Sequence, residues 1–132
     1  LAVMDAKKLA FKDASFDAVV AQYVITAVPD PEATLDDFVR VLKPGGRYCV
    51  ADMRRDVNPL LARLIGATTK PKEIRPGFWT SLHAAYTKPE MIELLKQTPL
   101  IDAKVQEEFF GLLISGVKAA QRAEKRTVSE NR

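Results

Sequence analysis

Apolar and polar positions in this chain fall into two alternating periods. From Asp17 to Val24 the residues read DAVVAQYV, a continuous apolar run rich in β-branched side chains, which predicts a strand buried on both faces. A helical period follows. Asp30 can cap it, Pro31 suits its first position, and Leu35, Phe38, Val39 and Leu42 recur at i, i+3, i+4 and i+7. Lys43 suits the negative end of the helix dipole, Pro44 stops propagation, and Gly45-Gly46 turns the chain into the second apolar strand, Tyr48-Cys49-Val50-Ala51. Leu1 to Met4, short and apolar, reads as the end of another buried strand. The segment from Lys7 to Ser15 reads as a connecting loop.

Beyond Asp52 the pattern is less regular. Asn58-Pro59 opens a short amphipathic helix with Leu60, Leu61, Leu64 and Ile65 on one side. Between Ala67 and Gly77 the chain is rich in Lys, Arg and Pro, and Phe78 and Trp79 follow, a composition expected of a loop or lid. Thr87-Lys88-Pro89-Glu90 is a capping-box pattern ahead of Met91, Ile92, Leu94 and Leu95. Ala103 to Phe110 and Leu112 to Ala119 are β-prone runs separated by Gly111, close enough for an antiparallel hairpin. Residues 121–132 are polar and read as a flexible tail.

Composition narrows the function classes. At 132 residues with 47% apolar content the chain suits one domain with a sizeable core. Twenty basic against 17 acidic residues leave a net charge of +3, which gives no polyanion-binding field and does not indicate nucleic acid. Cys49 is the single cysteine, so no intrachain disulfide or cysteine metal cluster is available, and a reducing cytoplasm fits. No apolar stretch is long enough to span a bilayer, and the start lacks a signal-peptide pattern. The absent initiating Met suits a processed or excised piece.

The run from Asp13 to Met53, with Phe16-Asp17 before one apolar strand and Leu42-Lys43-Pro44-Gly45-Gly46 before the next, resembles the second half of the class I S-adenosylmethionine-dependent methyltransferases. The resemblance covers roughly Leu1 to Ala119. It implies an α/β fold with a Rossmann-like methyltransferase sheet, mostly parallel with a C-terminal antiparallel hairpin, lacking the first strands. On that reading residues 1–120 form a partial methyltransferase domain and 121–132 the tail. The glycine-rich loop that holds the cofactor's methionine end in that family is absent from this sequence, which begins where the family's third strand would end.

The resemblance implies S-adenosylmethionine as cofactor and a small-molecule methyl acceptor. Asp5-Ala6 matches the acidic residue and its neighbour that meet the adenine, and a carboxylate is a suitable acceptor for an amino group. Ala21, Gln22 and Tyr23 end the strand on the edge where open α/β sheets bind ligands. Asp17 is assigned no chemical role. Thr26-Ala27 stands where many relatives carry histidine, which removes a candidate base. Lys43-Pro44-Gly45-Gly46 lacks the strand-to-helix order and Lys-Ser/Thr ending of a phosphate loop and reads as a turn.

Candidates for contact with the acceptor are Arg54, Arg55, Trp79, His83 and Tyr86. The two arginines suit an anionic group, or else an internal salt-bridge network with Asp52 and Asp56. His83, the only histidine, has no acidic orienter that would complete a triad, and no catalytic base is assigned. Methyl transfer tolerates that, because alignment of the acceptor and exclusion of water carry most of the acceleration. Tyr23 to Glu32 also resembles bacterial phospholipid N-methyltransferases, locally, so a membrane surface is admitted as a partner without being favoured.

Other classes remain beside the enzyme. One is a non-catalytic binding or assembly module built on a methyltransferase fold; a nucleotide-binding dehydrogenase half lacks the glycine fingerprint. The sequence leads us to expect weak or no S-adenosylmethionine binding by this chain alone, a loss of cofactor affinity in Asp5→Ala, and a homo-oligomer or complementary chain covering Ala18 to Tyr23, with Leu1 to Met4 as the segment likeliest to move.

Overall fold

The computed structural model describes residues 2–100 and 102–120. Strand β1 (Phe16–Gln22) is followed by helix α1 (Pro31–Val41), strand β2 (Leu42–Met53), helices α2 (Pro59–Thr68), α3 (Arg75–Ala84) and α4 (Lys88–Lys96), and strands β3 (Lys104–Glu107) and β4 (Gly111–Val117). The sheet order is β1-β2-β4-β3. β1 and β2 run parallel across the α1 crossover, with Ala18 opposite Arg47 and Gln22 opposite Ala51. β4 pairs antiparallel with both β2 and β3. The C-terminal hairpin therefore sits where the sequence puts it, with Glu108 to Phe110 forming its turn.

The caps act as their sequence suggests. Asp30 accepts a hydrogen bond from Ala33 N–H at 3.0 Å. Asn58 accepts from Leu60 N–H at 2.9 Å, and Glu90 closes the capping box by accepting from Thr87 N–H at 2.8 Å. The C-terminal end of α1 differs. Lys43 pairs with Asp17 at 3.0 Å, and it is Lys118 whose ammonium donates to the Val39 and Leu42 carbonyls at 2.7 Å each. A cation seventy-five residues downstream of Lys43 in sequence thus meets the helix dipole. Gly45 at φ +77° makes the turn that no side chain adopts easily, inside the irregular start of β2.

Alternate residues of the sheet have opposite fates. Ala21, Tyr48, Val50, Leu112 and Ile114 form the main core with Leu35 and Phe38 of α1 and Met91, Leu94 and Leu95 of α4. On the other face Val20, Cys49 and Ser115 stand in register and line a shallow depression made only of strand residues. Val20 is 72% exposed, so the run expected to be buried on both faces is covered on one. β1 is also an edge of the sheet among the described strands. The N-terminal expectation is corrected as well. Ala2 to Met4 carry no strand, because no described strand lies alongside to pair with them; Leu1 is outside the described residues.

A second, smaller core joins Met53, Val57, Ala62, Leu82 and Ala85, with Phe78, Trp79 and Phe110 packed against it. Here the sequence reading needs two corrections. α2 buries Ala62 and Gly66 and leaves Leu60 and Leu64 outside, because the Trp79 ring lies 2.6 Å from where a Cβ on Gly66 would stand. Small residues four apart let α3 approach. The expected loop between Ala67 and Gly77 is largely regular: α2 continues to Thr68, a 3₁₀ turn spans Lys72–Ile74, and α3 begins at Arg75, so Phe78 and Trp79 are helical. Pro76, within the first helical turn, loses no hydrogen bond there, so a proline-rich stretch can open a helix. The tail expected at 121–132 lies outside the described residues.

Candidate functional site

The carboxyl ends of β1 and β2 open into a cavity of about 280 Å³ walled by Tyr23, Ala51, Asp52, Leu112, Leu113 and the hairpin turn Glu108 to Gly111. Tyr23 follows β1 in the left-handed region at φ +55° while its N–H donates to the Ala51 carbonyl at 2.8 Å. A non-glycine residue at positive φ is strained, and such strain concentrates at functional sites. Ala21 is buried and offers the site only backbone, whereas Gln22 and Tyr23 are exposed.

Asp52 holds this edge together. Its carboxylate is 2% exposed and accepts from Thr26 N–H at 3.1 Å, Thr26 Oγ1 at 2.8 Å and its neighbour Met53 N–H at 2.7 Å. Two strand ends are thereby tied at the point where Tyr23 leaves β1. A buried carboxylate needs such donors, and Asp52 has three. Across the cavity, Gly111 is required by contact: a Cβ there would meet the Asp52 carbonyl oxygen at 2.4 Å. Phe110 stacks on Phe78 at 6.1 Å and 8° between planes, which anchors the hairpin turn to α3 and leaves Phe109 outside.

Asp5 is exposed and accepts from Lys7 N–H at 3.1 Å through Oδ1. The following segment is clamped to α1. Leu9 N–H donates to Asp37 at 2.7 Å, and Arg40 donates to the Leu9 and Phe11 carbonyls and to Asp13 and Asp37. The Arg40 hydrogen bond holds the Asp37 carboxyl below its ordinary pKa against the opposing effect of burial, and the Leu9 N–H adds to the lowering. Asp5 thus rides on a fixed turn, although among the described residues no hydrogen bond links it to Ala21, Gln22 or Tyr23.

The acceptor candidates are dispersed. Arg54 donates to Asp56 at 2.8 Å and lies 3.8 Å from Glu107; the Asp56 hydrogen bond raises the arginine's pKa and lowers the carboxyl's. Arg55 reaches the Ala85 carbonyl at 2.8 Å and pairs with Glu90, whose own pKa is lowered first by Thr87 N–H and then by Arg55. Both arginines serve internal networks, with Asp56 as expected but without Asp52. Trp79 packs on Phe78 and lies 6.4 Å from the exposed His83 ring, within the α2–α3 layer. The Tyr86 backbone forms a bridge with Arg54. None of these five lines the cavity. Sequence reasoning gave Asp52 only a salt-bridge role and Gly111 only a hairpin role, and assigned Phe109-Phe110 to no site, although an acidic residue ending an otherwise apolar strand was a signal for the first. Among the described residues no three His, Cys, Asp or Glu side chains group as metal ligands.

One Asp5 oxygen is unused by the Lys7 bond, and Tyr23, just past β1, borders a cavity that joins aromatic walls to the carboxylates of Asp52 and Glu108. Residues 1–50 match the model of a family described as a methyltransferase domain. Phosphatidylethanolamine N-methyltransferase of Cereibacter sphaeroides is 40% identical over 60 residues, 45% of this chain and 30% of that protein. Demethylmenaquinone methyltransferase of Streptomyces avermitilis is 31% identical over 105 residues, 70% of this chain and 46% of that protein. The chain thus spans less than half the length of these curated relatives. The crystal structure of a SAM-dependent methyltransferase from Thermotoga maritima superposes with a TM-score of 0.61 at 23% identity, covering 86% of this chain and 61% of that one. One from Methanosarcina mazei gives 0.60 at 20% identity, covering 91% and 67%. Residues 1–50 thus match a methyltransferase domain in sequence, and the described chain shares its fold with S-adenosylmethionine-dependent methyltransferases of known structure.

Proposed function

We propose that residues 1–120 form part of a methyl-transfer domain, with Asp5, Ala6, Ala21, Gln22 and Tyr23 meeting the nucleoside of S-adenosylmethionine and the cavity beside Asp52 taking a small-molecule acceptor. When bound, S-adenosylmethionine supplies a methyl group activated by its sulfonium. The chain's own part is placement. Asp52 and Thr26 fix the strand ends, Phe110 walls the cavity from the hairpin turn, and Tyr23 borders both the nucleoside edge and the acceptor. The acceptor we favour is a quinol carrying a long hydrocarbon tail. Relatives named as ubiquinone/menaquinone biosynthesis C-methyltransferase and 2-phytyl-1,4-naphtoquinone methyltransferase support this, at 43% and 46% identity over 60 and 57 residues. The observation that carries the reading is the cavity at the carboxyl ends of β1 and β2, the edge where such sheets bind ligands.

Saturation-transfer NMR with S-adenosylhomocysteine tests it at the weak affinity expected of a chain without the glycine-rich loop. Adenine and ribose protons should receive saturation from the parent, and Asp5→Ala should weaken binding by about 1–3 kcal/mol. No transfer from a folded parent chain would remove these residues from the cofactor site.

The open edge of β1 favours a second reading beside the first, an assembly role in which another copy or a complementary chain covers Ala18 to Tyr23. Sedimentation as a monomer at micromolar concentration would defeat it.

A further inference from the structure

Helix α2 turns Leu60 and Leu64 outward, 75% and 61% exposed, and Phe109 of the hairpin turn stands beside them at 82%. Single exposed apolar residues are ordinary, whereas a contiguous group marks a binding surface. Together with Leu61 these side chains line a groove of about 300 Å³. Its one polar wall residue, Asn58, uses its carbonyl oxygen to cap α2, accepting from Leu60 and Leu61 N–H at 2.9 and 3.4 Å. The groove therefore presents hydrocarbon walls and suits a ligand without polar groups.

Phe109 decides which ligand. It lines the groove and also the cavity beside Asp52 and Tyr23, so the two spaces share one wall. A polar ring in the cavity would lead its substituent across Phe109 into the groove. We propose that Leu60, Leu61, Leu64 and Phe109 form the subsite for the hydrocarbon tail of the methyl acceptor; this rests on the tailed-acceptor reading above. It assigns a binding role to helix α2 and explains why that helix buries alanine and glycine while exposing leucine.

The test uses the full chain and the free prenyl alcohols prenol, geraniol and farnesol, followed by the fluorescence of Trp79, the single tryptophan, which packs on α2 at Gly66. Affinity should climb along the series by roughly fourfold for each methylene buried and level off when the groove is full. Leu64→Asp and Phe109→Ala should each weaken farnesol by about tenfold with unchanged circular dichroism, since both side chains are already exposed. Equal farnesol affinity in parent and variants, or none along the whole series, would overturn the subsite. So would binding only to phosphatidylcholine vesicles, which would make the leucines a membrane contact. If farnesol binds as expected while S-adenosylhomocysteine receives no saturation transfer, the groove stands and the functional reading falls. Equal affinity for prenylated and tailless quinols in parent and variants would sink the groove and keep the function.

Discussion

The two faces of the sheet carry similar apolar patterning and meet opposite surroundings. Val19 and Ala21 of β1 look onto the core beneath α1 and α4, while Val20, between them, stands in solvent beside Cys49 and Ser115. The face under the helices holds the fold together; the other has the composition of a buried layer without a described cover. An apolar run on a half-covered strand therefore measures what the strand was selected to meet, and coverage must be read from the elements around it.

The largest expected effect separates the faces directly. Ile114→Ala, in the main core, should cost about 2–5 kcal/mol in chemical denaturation, the range for emptying a packed site. Val20→Ala should cost no more than about 0.5 kcal/mol, as at other surface positions. Comparable losses at both would mean that another chain covers β1.

Next is the tie between the strand ends. Asp52→Ala leaves the part-buried Thr26 N–H and hydroxyl and the buried Met53 N–H without their acceptor, and a buried unpaired group costs about 1–3 kcal/mol. Stability should fall by at least one such step, with amide exchange rising at Thr26 before it rises in the α1-covered core. Unchanged exchange at Thr26 would show that Asp52 does not position the Tyr23 edge.

A smaller effect is visible only in acid. The Asp37 carboxyl is held below its ordinary value by Arg40, so its contribution is fully present above the unfolded pKa of about 3.9 and is lost as pH falls through the lower folded value. Acid unfolding of the parent should therefore draw on this pair below about pH 4. Asp37→Asn should lower stability at neutral pH and flatten its decline in that window. A decline as steep as the parent's would assign the acid sensitivity to other carboxylates.

What was legible in the sequence was what local chemistry decides. Asp30-Pro31, Asn58-Pro59 and Thr87 to Glu90 announced three helix starts, and Gly111 announced the hairpin, because caps and turns depend on neighbours in sequence. The failures came where a partner distant in sequence decides. Lys118 displaced Lys43 at the end of α1, and Trp79 against Gly66 reversed the buried side of α2. The site divided in the same way. The place of Tyr23 at a strand end could be read locally, whereas the cavity wall joins Tyr23 to Phe109 and Gly111 through a pairing that no local pattern contains.

The smallest perturbation gives the most direct view of the open face. Cys49 lies opposite both Val20 and Ser115, is half-buried, and has no disulfide partner among the described residues, so its thiol reports whether anything lies over the centre of the sheet. A thiol reagent needs access as well as thiolate. In the isolated chain at neutral pH, Cys49 should label to completion without denaturant, and Cys49→Ser should leave the denaturation midpoint almost unchanged, since the residue belongs to neither core. Labelling that slows as protein concentration rises would show a second copy settling on this face. Labelling that requires denaturant at every concentration would show a cover within the chain itself, and the contrast between the two faces would then disappear.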